Sequence, residues 1–307
     1  MILLTASCPA GEDLDMDDVV QLGKQYFDKI KDLQLTYRVY NELKPPLPKN
    51  NQGGLAEGDP RIYHWSYMKD GSRQKIEAVH YHDKQFAKPK RFIINAWDGK
   101  KCYSWDRNVI MEAKGHGLTP DNKPENLGAV TIYSDRNLCD VIYPYWAYLK
   151  FEGNGALGIG PNIKEQCRVV KVDTVQNNRR CVLIEGNYQR IWVDQILGLY
   201  IRAERYRKSG FQQKRESQDL RSLTQMIKIQ EFNGVSLPTE IKLEQYYGKN
   251  DQFNKSGVEV LRTVHINVDP QSVKIDQGLD PAFFKVDFPL NVPVFDWDTK
   301  TLLPTAK

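Results

Sequence analysis

Two imidazoles, His80 and His82, stand two residues apart in a run of strand-forming residues, with Asp83 beside them. On a strand that spacing puts both rings on one face, which is half of a metal site. A catalytic zinc needs a third protein ligand. The Asp70-Gly71 turn expected between Ile62 and His82 sends His64 to the opposite face, and the nearby sequence offers no other. The acidic residues form no pair that spacing can place as acid and base. There is no Gly-x-Ser-x-Gly, phosphate-binding loop or dinucleotide fingerprint. Gly153, Gly155 and Gly158 have dinucleotide-like spacing, yet they follow an expected helix rather than a strand, and Pro161 interrupts the helix that should come next. The expectation is a non-enzymatic protein with no catalytic residue, no metal and no cofactor.

Charge chemistry is the next resource. Basic residues gather at Lys84, Lys88, Lys90 and Arg91, and again at Arg202, Arg205, Arg207 and Lys208. Strand edges carry such charges to resist edge-to-edge association. The same charges would attract anionic lipid head groups or an acidic partner. A formal charge of +4 over 307 residues does not imply a nucleic-acid partner. No apolar run reaches the ~18 residues of a membrane-spanning helix.

The cysteines are Cys8, Cys102, Cys139, Cys167 and Cys181. Leaving Cys8 aside, the even number suits an oxidising compartment. If Asn177-Asn178 is a two-residue turn, Cys167 faces Tyr188 and Cys181 faces Thr174. The two sulfurs then lie roughly 20 Å apart along the strands, too far for a bridge. Met1 to Cys8 resembles the end of a bacterial lipoprotein leader, with small residues just before Cys8, which makes Cys8 a candidate for lipidation. The basic start of a full leader is missing and Thr5 stands where such leaders carry Leu. Residues 1–14 read as a leader remnant or disordered N-terminus, and 15–307 as a single domain.

The elements that would position these groups are mostly strands. Asp15 to Leu33 shows apolar residues at three- and four-residue spacing behind an acidic start, the pattern of a helix that packs on a sheet. Leu35, Tyr37 and Val39 then alternate as a strand. The stretch Tyr188 to Tyr206 reads as a hairpin around Asp194-Gln-Ile-Leu-Gly198, with Leu199, Ile201 and Ala203 on an apolar face opposite Tyr200, Arg202 and Glu204. Other hairpins are expected at Asp70-Gly71, Asp98-Gly99, Asn177-Asn178 and Asn233-Gly234.

The Asp70-Gly71 hairpin places Tyr63, Trp65, Tyr67 and Ile76 on one face, and the Asp98-Gly99 hairpin places Phe92 and Ile94 with Tyr103 and Trp105. Together they predict one aromatic surface lining an apolar cavity. Asp135 to Lys150 predicts a second helix, kinked at Pro144. Its aromatics Tyr145, Trp146 and Tyr148 precede a glycine-rich run, so this segment is a candidate gate. The fold class is α+β: a large, curved, mostly antiparallel sheet, an incomplete barrel wrapped over a few helices.

This order of features resembles the LolA/LolB-like family of bacterial outer-membrane lipoprotein carriers, in its divergent lipoprotein-sorting-like members. The matching residues are Ile30-Lys-Asp-Leu33 running into the strand Leu35–Tyr40, the hairpin Ala96-Trp-Asp-Gly-Lys-Lys-Cys-Tyr103, and the turn Trp192-Val-Asp-Gln-Ile-Leu-Gly-Leu199. Gly234-Val-Ser-Leu-Pro238 and Phe284-Lys-Val-Asp-Phe-Pro289 complete the set. The chain departs from the carriers by insertions at 44–60, 112–128 and 208–222.

The resemblance implies a half-barrel over helices whose apolar cavity takes lipid or lipoprotein acyl chains. It implies a periplasmic or envelope location, with peripheral membrane association or an anchor at Cys8. The alternative is an envelope interaction or sensor module, its half-barrel filled by its own side chains and acting through a protein partner.

Overall fold

A computed structural model describes residues 14–43, 60–68, 73–82, 84–87, 89–108, 129–133, 167–207, 219–248, 259–284 and 293–303. The first element is helix α1, Met16–Asp28. Asp15 caps it: its carboxylate accepts the N–H groups of Asp17 (2.7 Å) and Asp18 (3.0 Å), and Asp18 reaches back to the Asp15 N–H at 3.0 Å. Reciprocal capping of this kind satisfies the free donors of a first turn.

The helix stops short of the expected Leu33. Asp32 accepts the N–H groups of Gln277 and Gly278, each at 2.9 Å. Asp276, at φ 53°, accepts those of Lys31 (2.8 Å) and Asp32 (3.2 Å). This clasp satisfies the backbone without a helical turn and starts a strand. Ile30 and Leu33 stay fully buried, which is why their spacing imitates a longer helix.

The strands, in chain order, are β1 (Asp32–Leu43), β2 (Arg61–Met68), β3 (Arg73–Tyr81), β4 (Pro89–Trp97), β5 (Cys102–Asn108), β6 (Ala129–Tyr133), β7 (Cys167–Gln176) and β8 (Arg179–Gly186). They continue as β9 (Gln189–Asp194), β10 (Tyr200–Tyr206), β11 (Leu220–Phe232), β12 (Val235–Tyr246), β13 (Val260–Val268), β14 (Lys274–Ile275), β15 (Val294–Asp296) and β16 (Thr301–Leu303). Among the described residues they make one open sheet in the order β16-β15-β6-β5-β4-β3-β2-β1-β13-β12-β11-β10-β9-β8-β7, with β14 on β1. Every pairing is antiparallel except β15 on β6. The expected class holds: a large, curved, mostly antiparallel sheet. Among the described residues α1 is its single α-helix, and the helix expected over 135–150 lies outside them.

Curvature follows from what α1 covers. One continuous core joins α1 to ten neighbouring strands, from β3 through β1 and β13 to β7. Ten strands laid flat would span about 45 Å. A helix of this length is roughly 20 Å long and 10 Å wide and cannot cover ten flat strands, so a bent sheet is what lets them share one core with it. Bulges in β7, β10 and β11 supply part of the bend.

The helix is fixed at one end of the sheet. Tyr26 is buried and donates its hydroxyl to the Ser236 carbonyl at 2.7 Å. Burial raises its pKa well above the ordinary tyrosine value. Gly23 lies against Gly198 of the β9–β10 turn. In that turn Asp194 accepts the N–H groups of Ile196 (2.8 Å) and Leu197 (2.9 Å). Gly198 has φ +68°, and a Cβ there would stand 2.3 Å from the Leu22 carbonyl oxygen. Only glycine combines that backbone with that approach.

Four tight turns share this end: 98–101, Asn177-Asn178 (φ 51° and 59°), 195–198 and Asn233-Gly234 (φ 49° and 75°); the two-residue turn Asn187-Tyr188 between β8 and β9 lies at the other. The connections through 44–59, 109–128, 208–218 and 249–258 leave from the opposite end.

Two registers differ from expectation. Thr174 pairs with Cys181 as the turn requires, but bulges further along β7 set Cys167 against Gly186 rather than Tyr188. In β10 a bulge at Ile201 puts Tyr200, opposite Val193, on the same inner face as Ala203, opposite Ile191. Pro281–Phe284 forms a short 3-10 turn, and β15 and β16 extend the sheet.

Candidate functional site

The register places the predicted cavity residues one by one. Trp65 lies between Leu35 and Ile76, and Tyr63 between Tyr37 and Ala78. Tyr67 holds the same row, between Leu33 and Gln74. Paired residues of antiparallel strands share a face, so Tyr63, Trp65 and Ile76 look into the concave side with α1. Tyr37 and Tyr63 stack with ring centroids 4.8 Å apart. Arg61 donates to the Tyr63 hydroxyl at 3.1 Å. Trp65 is 1% exposed and Ile76 3%.

The single aromatic surface does not form. Ile76 faces Asn95, and Ala78 faces Ile93. Phe92 and Ile94 instead face Val79 and Glu77, and Ile94 carries Trp105 beside it as Ala96 carries Tyr103. Phe92, Ile94, Tyr103 and Trp105 therefore stand on the convex face. There Tyr103 and Trp105 pack with Val130, Ile132 and Val294 in a separate cluster. The faces within each hairpin come out as expected; the register between the hairpins is one residue off, and that flips every side chain. The gate residues Tyr145, Trp146 and Tyr148, and Cys8, lie outside the described residues.

The remaining candidates divide similarly. His80 is buried and His82 exposed, and no three metal-ligating side chains come together among the described residues. Cys167 and Cys181 are free and buried, so no bridge joins them, while Cys102 is disulfide-bonded. Burial raises the Cys181 thiol to about 11 and also raises that of Cys167. On the convex face Asp98 accepts the N–H groups of Lys100 and Lys101, each at 2.8 Å, and the Tyr103 hydroxyl at 3.2 Å. Burial pushes its carboxyl up. The two backbone donors, Tyr103 and the Arg73 charge outweigh that and hold it below the usual range.

The basic run of β10 separates by face. Arg202 stands on the convex side, ion-paired with Glu204 at 2.5 Å and placed over the Trp192 ring at 5.3 Å. Glu204 also accepts the Tyr206 hydroxyl at 2.5 Å. Arg205 points the other way. It faces Ser222, which faces Gln245, and the next row inward is Ala203, Thr224, Leu243 and Val264.

Here, at the end of the concave face opposite α1's anchoring turns, the structure holds a cavity of about 190 Å³. Arg205, Arg207, Arg221, Ser222, Leu243, Gln245, Tyr246 and Leu261 line it. Arg207 pairs with Asp219 at 3.3 Å and donates to the Tyr246 carbonyl. The Nη2 of Arg205 is buried with no hydrogen-bond partner. Burial, then the Arg221 charge, disfavour its proton and lower its pKa.

Sequence reasoning singled out Arg205 and Arg207 only as members of a charged run, and missed Arg221, Leu243, Gln245 and Leu261. The Asn233-Gly234 turn carried part of the signal, since a two-residue loop there pairs Ser222 with Gln245 and Thr224 with Leu243. The pairing of β10 with β11 is what brings in Arg205.

No protein-family model matches the chain, and no curated protein matches it. Among solved structures it is similar to the crystal structure of a DUF1329 family protein from Desulfovibrio piger, at 14% identity and a TM-score of 0.47. That similarity covers 88% of this chain and 95% of the other.

Proposed function

We propose that this chain is a non-enzymatic binding protein of the cell envelope that holds a lipid or lipoprotein acyl chain on the concave face of its sheet. The observation that carries the reading is the unequal cover of that face by the described residues. α1 is anchored over the end that carries the β9–β10 and β11–β12 turns. At the other end, Leu243 and Leu261 meet a cavity rimmed by arginines. Binding there would be driven by burial of methylenes, about 0.8 kcal/mol each. The Cys102 disulfide suits an oxidising envelope compartment. The charges of Arg205 and Arg221 suit an anionic membrane surface. Among the described residues no helix is long and apolar enough to cross a membrane.

Native mass spectrometry of protein taken from its own membrane fraction, with lipid extraction, tests this. One lipid per protein would support the reading and identify the cargo. An empty protein that neither binds a hydrophobic dye nor releases one to added fatty acid would overturn it.

A second reading draws on a different observation. Tyr63, Trp65 and Ile76, expected to line the cavity, are packed into the core around α1. A half-barrel so filled is the framework of an interaction or sensor module acting through a protein partner, and the empty-protein result would favour it.

A further inference from the structure

We propose that Arg205, Arg207 and Arg221 form a binding site for the anionic group, phosphate or carboxylate, of a ligand. Placing the ligand's apolar part against Leu243 and Leu261 rests on the acyl-chain reading; the anion site itself does not.

A buried guanidinium nitrogen without an acceptor loses its hydration and gains nothing in return. Arg205 Nη2 is in that position, with Arg221 adding a second positive charge beside it. Three neighbouring acids, Asp219, Glu204 and Glu244, are already engaged. Asp219 holds Arg207. Glu204 and Glu244 belong to the convex face, where Glu204 takes Arg202 and Tyr206, and Glu244 takes Lys242 and Tyr246, both at 2.8 Å. Among the described residues neither Arg205 nor Arg221 forms an ion pair.

Such a site calls for an anion, and the chemistry of the donors narrows its kind. Guanidinium groups offer planar, paired donors that match phosphate and carboxylate oxygens in a two-point arrangement. Ser222 and Gln245 add neutral polar groups beside them, and Leu243 and Leu261 give the cavity an apolar wall. A volume of about 190 Å³ fits a head group and the first carbons of a chain.

The test is binding of three probes, dodecyl phosphate, inorganic phosphate and the uncharged dodecyl maltoside, to the full chain and to Arg205→Met and Arg221→Gln. The expected result is dodecyl phosphate binding about tenfold or more tighter than the maltoside. Each substitution should weaken dodecyl phosphate by about tenfold, with the maltoside unchanged. Inorganic phosphate binding as tightly as dodecyl phosphate, without maltoside binding, upholds the anion site and removes the acyl chain. Equal binding of both amphiphiles, insensitive to either substitution, overturns the anion site and leaves the acyl-chain reading standing. No binding of any probe overturns both. Circular dichroism checks the fold of each variant. Arg205→Met should hold or raise Tm, because it removes a half-buried charge whose buried Nη2 has no hydrogen-bond partner. Arg221 is exposed, so Arg221→Gln decides the matter if the first variant does not fold.

Discussion

Across β4, where Ile93 and Trp97 still stand inward, the sheet changes the face on which its large apolar side chains stand. On β1 to β3, Leu35, Tyr37, Trp65 and Ile76 look inward to α1. On β4 to β6, Ala96, Tyr103, Trp105, Val130 and Ile132 look outward and meet Val294 of β15. Both regions have the same alternation and much the same composition, yet one belongs to the main core and the other to a satellite layer. Alternation tells which residues of a strand go together. It does not tell which side of the sheet they will occupy, because that depends on how each strand registers on its neighbour.

The comparison can be broken most severely at the helix that only one region uses. Gly198→Ala would drive a Cβ to within 2.3 Å of the Leu22 carbonyl oxygen at a φ of +68°. A loss of about 3 kcal/mol or more is expected, since backbone meets backbone and neither can rotate away. Urea unfolding monitored by circular dichroism measures it, and a loss within about 0.5 kcal/mol would mean that α1 is not seated on this turn.

A matched pair of truncations sharpens the contrast. Trp65→Ala empties a site in the main core and should cost about 3–5 kcal/mol. Trp105→Ala removes a half-buried ring from the satellite layer and should cost about 1–2 kcal/mol. Equal costs in the same unfolding experiment would contradict the division into two layers.

The smallest effect concerns the polar convex side behind the main core. Burial first, then the hydrogen bond to Glu204, raise the Tyr206 hydroxyl to about 12. Its folded value lies above the unfolded value of about 10, so its contribution is fully present below pH 10 and is lost as pH rises to about 12. Tyr206→Phe lacks that contribution throughout. The difference in Tm between wild type and variant should therefore be constant up to about pH 10 and shrink above it. A difference that stays constant to pH 12 would show that the hydroxyl does not sense the fold.

Legibility followed the range of the interaction. Asp15 announced the helix start, and the side-chain caps that form there span two or three residues. The helix end was not announced. Ile30 and Leu33 continue the helical spacing, and the groups that stop it, Asp276, Gln277 and Gly278, come from the far end of the sequence. The candidate site repeats the lesson. Arg205 and Arg207 were visible as basic residues, but the sequence could not say that Arg202 turns outward to Glu204 while Arg205 turns inward to a cavity.

By itself, then, the sequence determined the hairpins. Asn177-Asn178 and Asn233-Gly234 accept positive φ cheaply, and a short loop leaves its two strands one register next to the turn. It also determined the class of fold, since turns this frequent between alternating strands leave little else to build. Tertiary structure decided which hairpin faces join, where α1 ends and which arginines share a cavity. Each of those depends on pairing between strands joined by long connections or by none, where no local dihedral preference reaches and only burial of the assembled sheet selects the register.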